Sequence, residues 1–142
     1  MEQPVNEKIS SRLAVDEGDP VLYVRRLRLA DERPIFVCDS FLPTLRFPAL
    51  EDADYRTVSL TRLLEERTGR KVEHARQWIG AATAESDVAD LLEIPAGVPV
   101  LTVRRITCVT GNEPVEAVEA FFHPERYQHY NELSVQPAEV TG

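Results

Sequence analysis

The stretch that decides the fold is Gly18-Asp-Pro-Val-Leu-Tyr-Val-Arg-Arg-Leu27, which returns later in the chain as Gly97-Val-Pro-Val-Leu-Thr-Val-Arg-Arg-Ile106. Seven of the ten positions are identical, at an offset of 79 residues. The similarity extends on both sides, and the offset becomes 80 downstream because the second copy has one extra residue in its turn. The further matching pairs are Ile9 with Val88, Leu13 with Leu92, Val15 with Ile94, Pro34 with Pro114, and Ser40-Phe41 with Ala120-Phe121. Such a match indicates that one structural unit occurs twice.

Each copy predicts a short helix, a turn and a β-hairpin. In the second copy, Val88, Leu91 and Leu92 share one helical face, and Pro95 with Gly97 ends the helix. The residues that follow alternate in polarity and are rich in β-branched side chains, as in a half-buried strand. The predicted strands are Val21–Leu29 and Ile35–Leu42 in the first copy, and Pro99–Val109 and Val115–Phe122 in the second.

The segment between the copies predicts an irregular stretch, a helix and a strand. Ser59 is a suitable N-cap for a helix with an apolar stripe, and Gly69 fits the position just after its end. A strand is predicted over 72–82, and a last one over Tyr130–Val135. Helices and antiparallel hairpins alternate without a βαβ rhythm, so the predicted fold class is α+β. We expect an antiparallel sheet with flanking helices, in two pseudo-symmetric helix-hairpin halves that meet at a cleft.

Composition restricts the class of protein. The 142 residues are 43% hydrophobic and 28% charged, which is typical of one soluble globular domain over 1–142. The net charge of −8 repels a phosphate backbone, and no nucleic-acid-binding motif is present, so direct contact with nucleic acid is not expected. The polar N-terminus and the absence of a long apolar run predict a cytoplasmic protein without a membrane partner. Cys38 and Cys108 lie in apolar strands, where buried free thiols are expected.

No pattern in the chain predicts catalysis. His74, His123 and His129 lack the spacing of metal ligands, and the nucleophile, phosphate-loop and dinucleotide motifs are absent. Glu116 and His123 could form an acid–base pair only if a bulge brought them to the same face of their strand. We therefore expect no catalytic residues, no metal and no cofactor.

Two arginines of the first hairpin are candidate ligand-binding residues. In an alternating strand, Arg26 and Arg28 project from one face and Arg25 from the other. Two guanidiniums two residues apart suit the bidentate binding of a phosphate or carboxylate. Salt bridges on an exposed sheet face would explain the same spacing equally well. In the second copy Thr107 replaces the second arginine, so only one half can hold such a pair.

Many short segments, in order along most of the chain, resemble the UTRA domain, the effector-binding half of GntR-type transcriptional regulators of the HutC subfamily. These segments are Arg26 to Asp31 with Pro34, Ser40 to Pro43, Ser59-Leu60 with Leu63-Leu64, Ala89 to Leu92 with Ile94 to Leu101, Arg104-Arg105, Pro114 to Glu116, and Arg126-Tyr127. The resemblance implies a chorismate-lyase-like fold, a homodimer, and a small anionic effector such as a sugar phosphate or carboxylate.

The resemblance also implies which residues bind the effector. Arg26 and Arg28 match the arginines that contact the anionic group, and Ser59 is the nearest match to a serine before the middle helix. Glu116 matches a glutamate that contacts hydroxyl or amine groups, and Phe122 stands where tyrosine is commoner. Cys38 occupies a position that usually carries glutamate, which argues against an amino-sugar phosphate.

The winged-helix DNA-binding domain of such regulators is not present in this sequence. The chain is therefore expected to be either an excised sensing half or a stand-alone relative, and its abrupt start at the repeat favours excision. Two other functions fit the same residues. One is a chorismate-lyase-type enzyme, because arginines also hold carboxylates in such a site, and the other is a dimerisation module without a ligand.

Overall fold

The computed structural model describes residues 2–4, 7–57, 59–128, 130 and 132–134. The helices are α1 (Glu7–Leu13), α2 (Leu60–Thr68) and α3 (Ser86–Leu92), and a 3₁₀ turn occupies Pro48–Leu50. The strands are β1 (Glu2–Pro4), β2 (Pro20–Ala30), β3 (Arg33–Leu42), β4 (Val72–Thr83), β5 (Pro99–Val109) and β6 (Glu113–Phe122).

The strands form one antiparallel sheet in the order β1-β2-β3-β6-β5-β4. Strands β3 and β6 pair at its centre, where Phe36 lies opposite Phe122 and Phe41 lies opposite Ala117. The two copies of the repeat therefore form the same helix-plus-hairpin unit on either side of the sheet centre. The predicted α+β class and the duplicated hairpins are confirmed.

The hairpin turns show why the two copies differ in length. Asp31 and Glu32 form a two-residue loop between Ala30 and Arg33, and both have positive φ, 50° and 63°. Two-residue loops of this kind match the right-handed twist of the strands that they join. In the second copy Gly111 and Asn112 have φ of 89° and 56°, and the additional residue lengthens the turn.

The short helices exchange halves. Ile9 and Leu13 of α1 pack with Ala117 of β6, while Val88 and Leu92 of α3 pack with the β3 strand. Each helix thus covers the central strand of the other copy. The two halves share one buried layer for this reason, and neither can bury its apolar face alone. We call this side of the sheet the α1/α3 face.

The other side of the sheet, which we call the α2 face, is covered by the segment 43–57 and by α2. Leu50 and Leu64 are buried there against Leu42 and Val109, together with the ring of Tyr55. The segment carries no regular structure beyond its 3₁₀ turn, yet it closes this half of the core. Its position decides where a ligand can reach the sheet.

The helix termini and the chain end differ in part from expectation. Helix α2 ends at Gly69, which has φ 71° and donates its N–H to Glu65 O, as predicted. Ser59 is its N-cap residue, but the hydroxyl makes no capping hydrogen bond. The last predicted strand is wrong where the structure describes it, because Tyr130 and 132–134 are irregular. Residues 131 and 135 of that strand lie outside the described residues. Among the described helices, none is long and apolar enough to cross a bilayer.

Candidate ligand-binding site

A depression on the α2 face contains the two predicted arginines. It is lined by residues 25–28 of β2 together with Tyr55 and Arg56, and we call it the Arg26 depression. The Arg26 Nη2 atom lies 3.7 Å from Cys38 Sγ on the paired strand β3. The Arg28 Nη2 atom donates to the carbonyl oxygen of Thr57 at 3.3 Å. The strand alternation thus places both guanidiniums under the segment that covers this face.

The three neighbouring arginines differ in their charge partners. Arg25, on the α1/α3 face, donates to both carboxylate oxygens of Asp39, at 2.7 and 2.9 Å, and to Asp87 at 2.8 Å. Within the described residues, no carboxylate lies within 4 Å of the Arg26 or Arg28 guanidinium, and these two form no salt bridge. Salt bridges therefore explain Arg25 and do not explain the pair on the opposite face.

Arg26 also has an unused hydrogen-bond donor. Its Nε atom is buried and has no acceptor among the described residues. A buried donor without an acceptor costs about 1–3 kcal/mol, and more when it belongs to a charged group. An anion bound in the Arg26 depression would accept this hydrogen bond and compensate the charge.

Glu116 on β6 is the most deeply buried charged side chain near this depression, with 3% of its surface exposed. The Ser40 hydroxyl donates to its Oε2 at 2.8 Å, and the Thr107 hydroxyl lies 3.5 Å from Oε1. Burial raises the pKa of Glu116, although the Ser40 hydrogen bond and the charge of Arg26 act in the opposite direction. The carboxyl group therefore holds its proton more tightly than an exposed glutamate does.

Cys38 lies beside Arg26 as a neutral group. It is buried and free, and burial raises the pKa of its thiol. Arg26 lies opposite Cys38 in the β2–β3 register, so the thiol occupies the place from which a carboxylate would neutralise the guanidinium. The arginine consequently keeps its uncompensated charge. Cys108 is also buried and free, as expected for both cysteines.

The remaining predicted residues lie at different distances from this site. Phe122 is buried in an aromatic cluster with Phe36 and Tyr127, at ring centroid distances of 5.0 and 4.1 Å, in the same apolar cluster as Cys38. Ser59 does not line the Arg26 depression, contrary to the expected common cleft. It is exposed and lines a separate groove along α2, because the chain turns away from the sheet after Thr57.

Three residues of the site were not predicted from the sequence. Ser40 shares the face of Cys38 in β3, so strand alternation alone could have indicated it. Thr107 was noted only as a replacement for arginine, although it contributes a hydroxyl beside Glu116. Tyr55 belongs to the irregular segment and had no sequence signal. Its hydroxyl donates to Leu50 O, and burial raises its pKa.

The raised pKa of Glu116 predicts a pH dependence of stability. The folded protein keeps this proton over a pH range in which the unfolded chain, with a glutamate pKa of about 4.3, has lost it. The free energy of unfolding therefore falls as the pH rises from about 4.3 through the folded-state pKa. Glu116→Gln removes this loss and keeps partners for both hydroxyls. We expect the variant to gain stability relative to the wild type between acidic and mildly basic pH, measured by urea unfolding. A difference that does not change with pH would contradict this account of Glu116.

Comparison with known proteins gives the family. The family model described as the UTRA domain matches residues 1–128. The HTH-type transcriptional regulator Rv0792c of Mycobacterium tuberculosis is 34% identical over 128 residues, which are 88% of this chain and 46% of that protein. The chain spans about half the length of the curated relatives that it matches.

Solved structures agree with this assignment. A GntR-family transcriptional regulator from Enterococcus faecalis superposes with a TM-score of 0.82 at 26% identity, covering 94% of this chain and 95% of that chain. The effector domain of PhnF from Mycobacterium smegmatis gives a TM-score of 0.85 at 21% identity, covering 95% and 83%, and supports the fold alone. The relatives are transcriptional regulators, and the chain belongs to the UTRA domain family.

Proposed function

We propose that residues 1–142 form an effector-sensing domain that binds a small anionic metabolite through Arg26 and Arg28. Binding controls the attachment to DNA of a separate winged-helix domain, and the protein acts in the cytoplasm as a sensor and not as an enzyme. The observation that carries the proposal is the contrast between adjacent arginines. Arg25 has two carboxylate partners, whereas Arg26 has none in the described part of the chain and has a buried Nε without an acceptor.

The comparisons support the regulatory part of the proposal. The relatives are named as transcriptional regulators, and this chain covers about half of their length. A net charge of −8 makes the chain itself unsuited to DNA, so the DNA-binding part belongs to another domain. Regulators that read paired half-sites are two-fold symmetric, and we propose a homodimer on this basis.

The groups around Arg26 restrict the chemistry of the effector. A phosphate or carboxylate pairs with the two guanidiniums, because both can accept parallel hydrogen bonds from arginine. Glu116 and Ser40 lie beyond Arg26 and offer hydroxyl and carboxyl hydrogen-bonding groups to a polar body. Because Cys38 is neutral and Glu116 holds its proton tightly, this end of the site favours hydroxyl groups over an ammonium group. We therefore propose a hydroxylated sugar phosphate or carboxylate.

A thermal-shift titration tests the proposal with defined probes. Inorganic phosphate, glucose 6-phosphate and gluconate serve as anions, and glucose serves as the neutral control. A ligand at 100 times its Kd stabilises the folded state by about 2.7 kcal/mol, so at least one anion is expected to raise the melting temperature. Stabilisation by glucose alone, or equal stabilisation of an Arg26→Ala variant, would contradict the proposed anion site.

A further inference from the structure

The outer edge of strand β4 is long and unprotected. The strand runs for 12 residues, from Val72 to Thr83, and pairs only with β5 among the described residues. Most of its residues are exposed on both sides of the sheet. Natural sheets protect their edges with lysine, proline, bulges or a covering loop, because a bare edge pairs with other chains. The only irregularity of the β4–β5 ladder lies at its beginning, between Val72 and His74.

The second half of this edge is uncharged and apolar. The segment from Gln77 to Thr83 contains no charged residue, in a chain that is 28% charged. Trp78 and Ile79 project from opposite faces with 46% and 49% of their surface exposed. The opposite edge of the sheet, on β2, carries three arginines between residues 25 and 28. Like charges would repel two copies at that edge, whereas nothing repels them at β4.

The shape of the edge is complementary to itself. Trp78, Gly80 and Ala82 alternate along one face, so a large side chain stands beside two small ones. A depression lies at this place, lined by 78–82 of β4 with parts of β5 and β6. A Cβ atom added at Gly80 would meet only Thr102 Oγ1, at 3.4 Å, so the space above Gly80 is open.

We propose that a second copy of this chain docks along this edge, with β4 of the two copies paired antiparallel about Gly80. In that register each Trp78 lies across from the partner's Ala82, and the two sheets become continuous. A two-fold interface of this kind requires one self-complementary patch, which the large-small-small pattern supplies. The inference rests on the proposed homodimer and specifies the surface that forms it.

Two variants with opposite expectations test the edge. Ala82→Lys places a charge opposite Trp78 of the partner subunit at a position that is exposed in a single copy. Leu29→Lys is the control, because Leu29 is also exposed but lies on the β2 hairpin. We expect the wild type and Leu29→Lys to scatter light as particles of twice 16.0 kDa at high micromolar concentration. Ala82→Lys is expected to remain at 16.0 kDa with an unchanged circular dichroism spectrum and melting curve.

The fluorescence of the chain reports the same edge independently. Trp78 is the only tryptophan, so its emission maximum is expected to move to shorter wavelength as the wild type is concentrated. The emission of Ala82→Lys should not move. If the wild type and Ala82→Lys are both dimeric with unshifted emission, the dimer uses another surface and this inference is wrong. A wild type that stays at 16.0 kDa overturns both the homodimer and the edge, while calorimetry with anions still decides the sensing function separately.

Discussion

Replacing Arg26 with alanine is expected to weaken the binding of an anionic effector at least tenfold. A hydrogen bond to a charged group contributes about 1.5–3 kcal/mol, and 1.4 kcal/mol corresponds to one decade in Kd. The Nε atom and the uncompensated charge of Arg26 make it the strongest candidate partner of an anion on the α2 face. Isothermal titration calorimetry with the probe that stabilises the wild type most measures the change.

Two further variants separate a specific effect from a general one. Arg104→Ala removes one positive charge from the opposite face, where the side chain is exposed, and should bind within about twofold of the wild type. Arg26→Lys keeps the charge but loses the planar donor pair, so its affinity should lie between those of the wild type and the alanine variant. If Arg26→Ala binds like Arg104→Ala, the site assignment is wrong.

Replacing Arg25 with alanine is expected to lower the free energy of unfolding by about 3 kcal/mol, the range for a buried charge that loses its partner. The Asp39 carboxylate has only 9% of its side chain exposed and receives two hydrogen bonds from Arg25. Tyr23 donates to the same carboxylate, and burial together with this hydrogen bond raises its pKa to about 12. Without Arg25, the charge on Asp39 is left with one neutral donor.

The matched control is the other partner of the same arginine. Asp87 has 58% of its side chain exposed, and the Arg25 hydrogen bond lowers its pKa. Solvent screens an exposed pair, so Asp87→Ala should cost less than about 1 kcal/mol in urea unfolding. Equal losses for the two variants would show that burial does not decide the strength of this network.

The sequence predicted the hairpins well because two signals coincided there. The repeat at an offset of 79 residues and the strand alternation both gave β2, β3, β5 and β6, and the alternation also placed Arg25 and Arg26 on opposite faces. Asp39 was expected on the face away from the arginine pair, and it bonds Arg25 there. These features depend on local backbone geometry, which neighbouring residues determine.

Features that depend on distant contacts were not predicted. The exchange of α1 and α3 between halves depends on which strand each apolar stripe meets, and β1 has no pattern of its own. Tyr55 reaches the Arg26 depression only because the irregular segment folds back over the sheet. Ser59 was placed in the wrong groove for the same reason, since its position depends on the direction that the chain takes after Thr57.

The central claim, that Arg26 binds the effector's anionic group, is tested most directly by the side-chain NMR signals of the arginines. The Nε–Hε resonance of Arg26 is identified by its absence from the Arg26→Lys spectrum, and Arg104 provides the reference. During a titration with glucose 6-phosphate or gluconate, the account predicts that the Arg26 and Arg28 signals shift in saturable steps while the Arg104 signal stays in place. Binding of either anion without a shift of the Arg26 signal would contradict it.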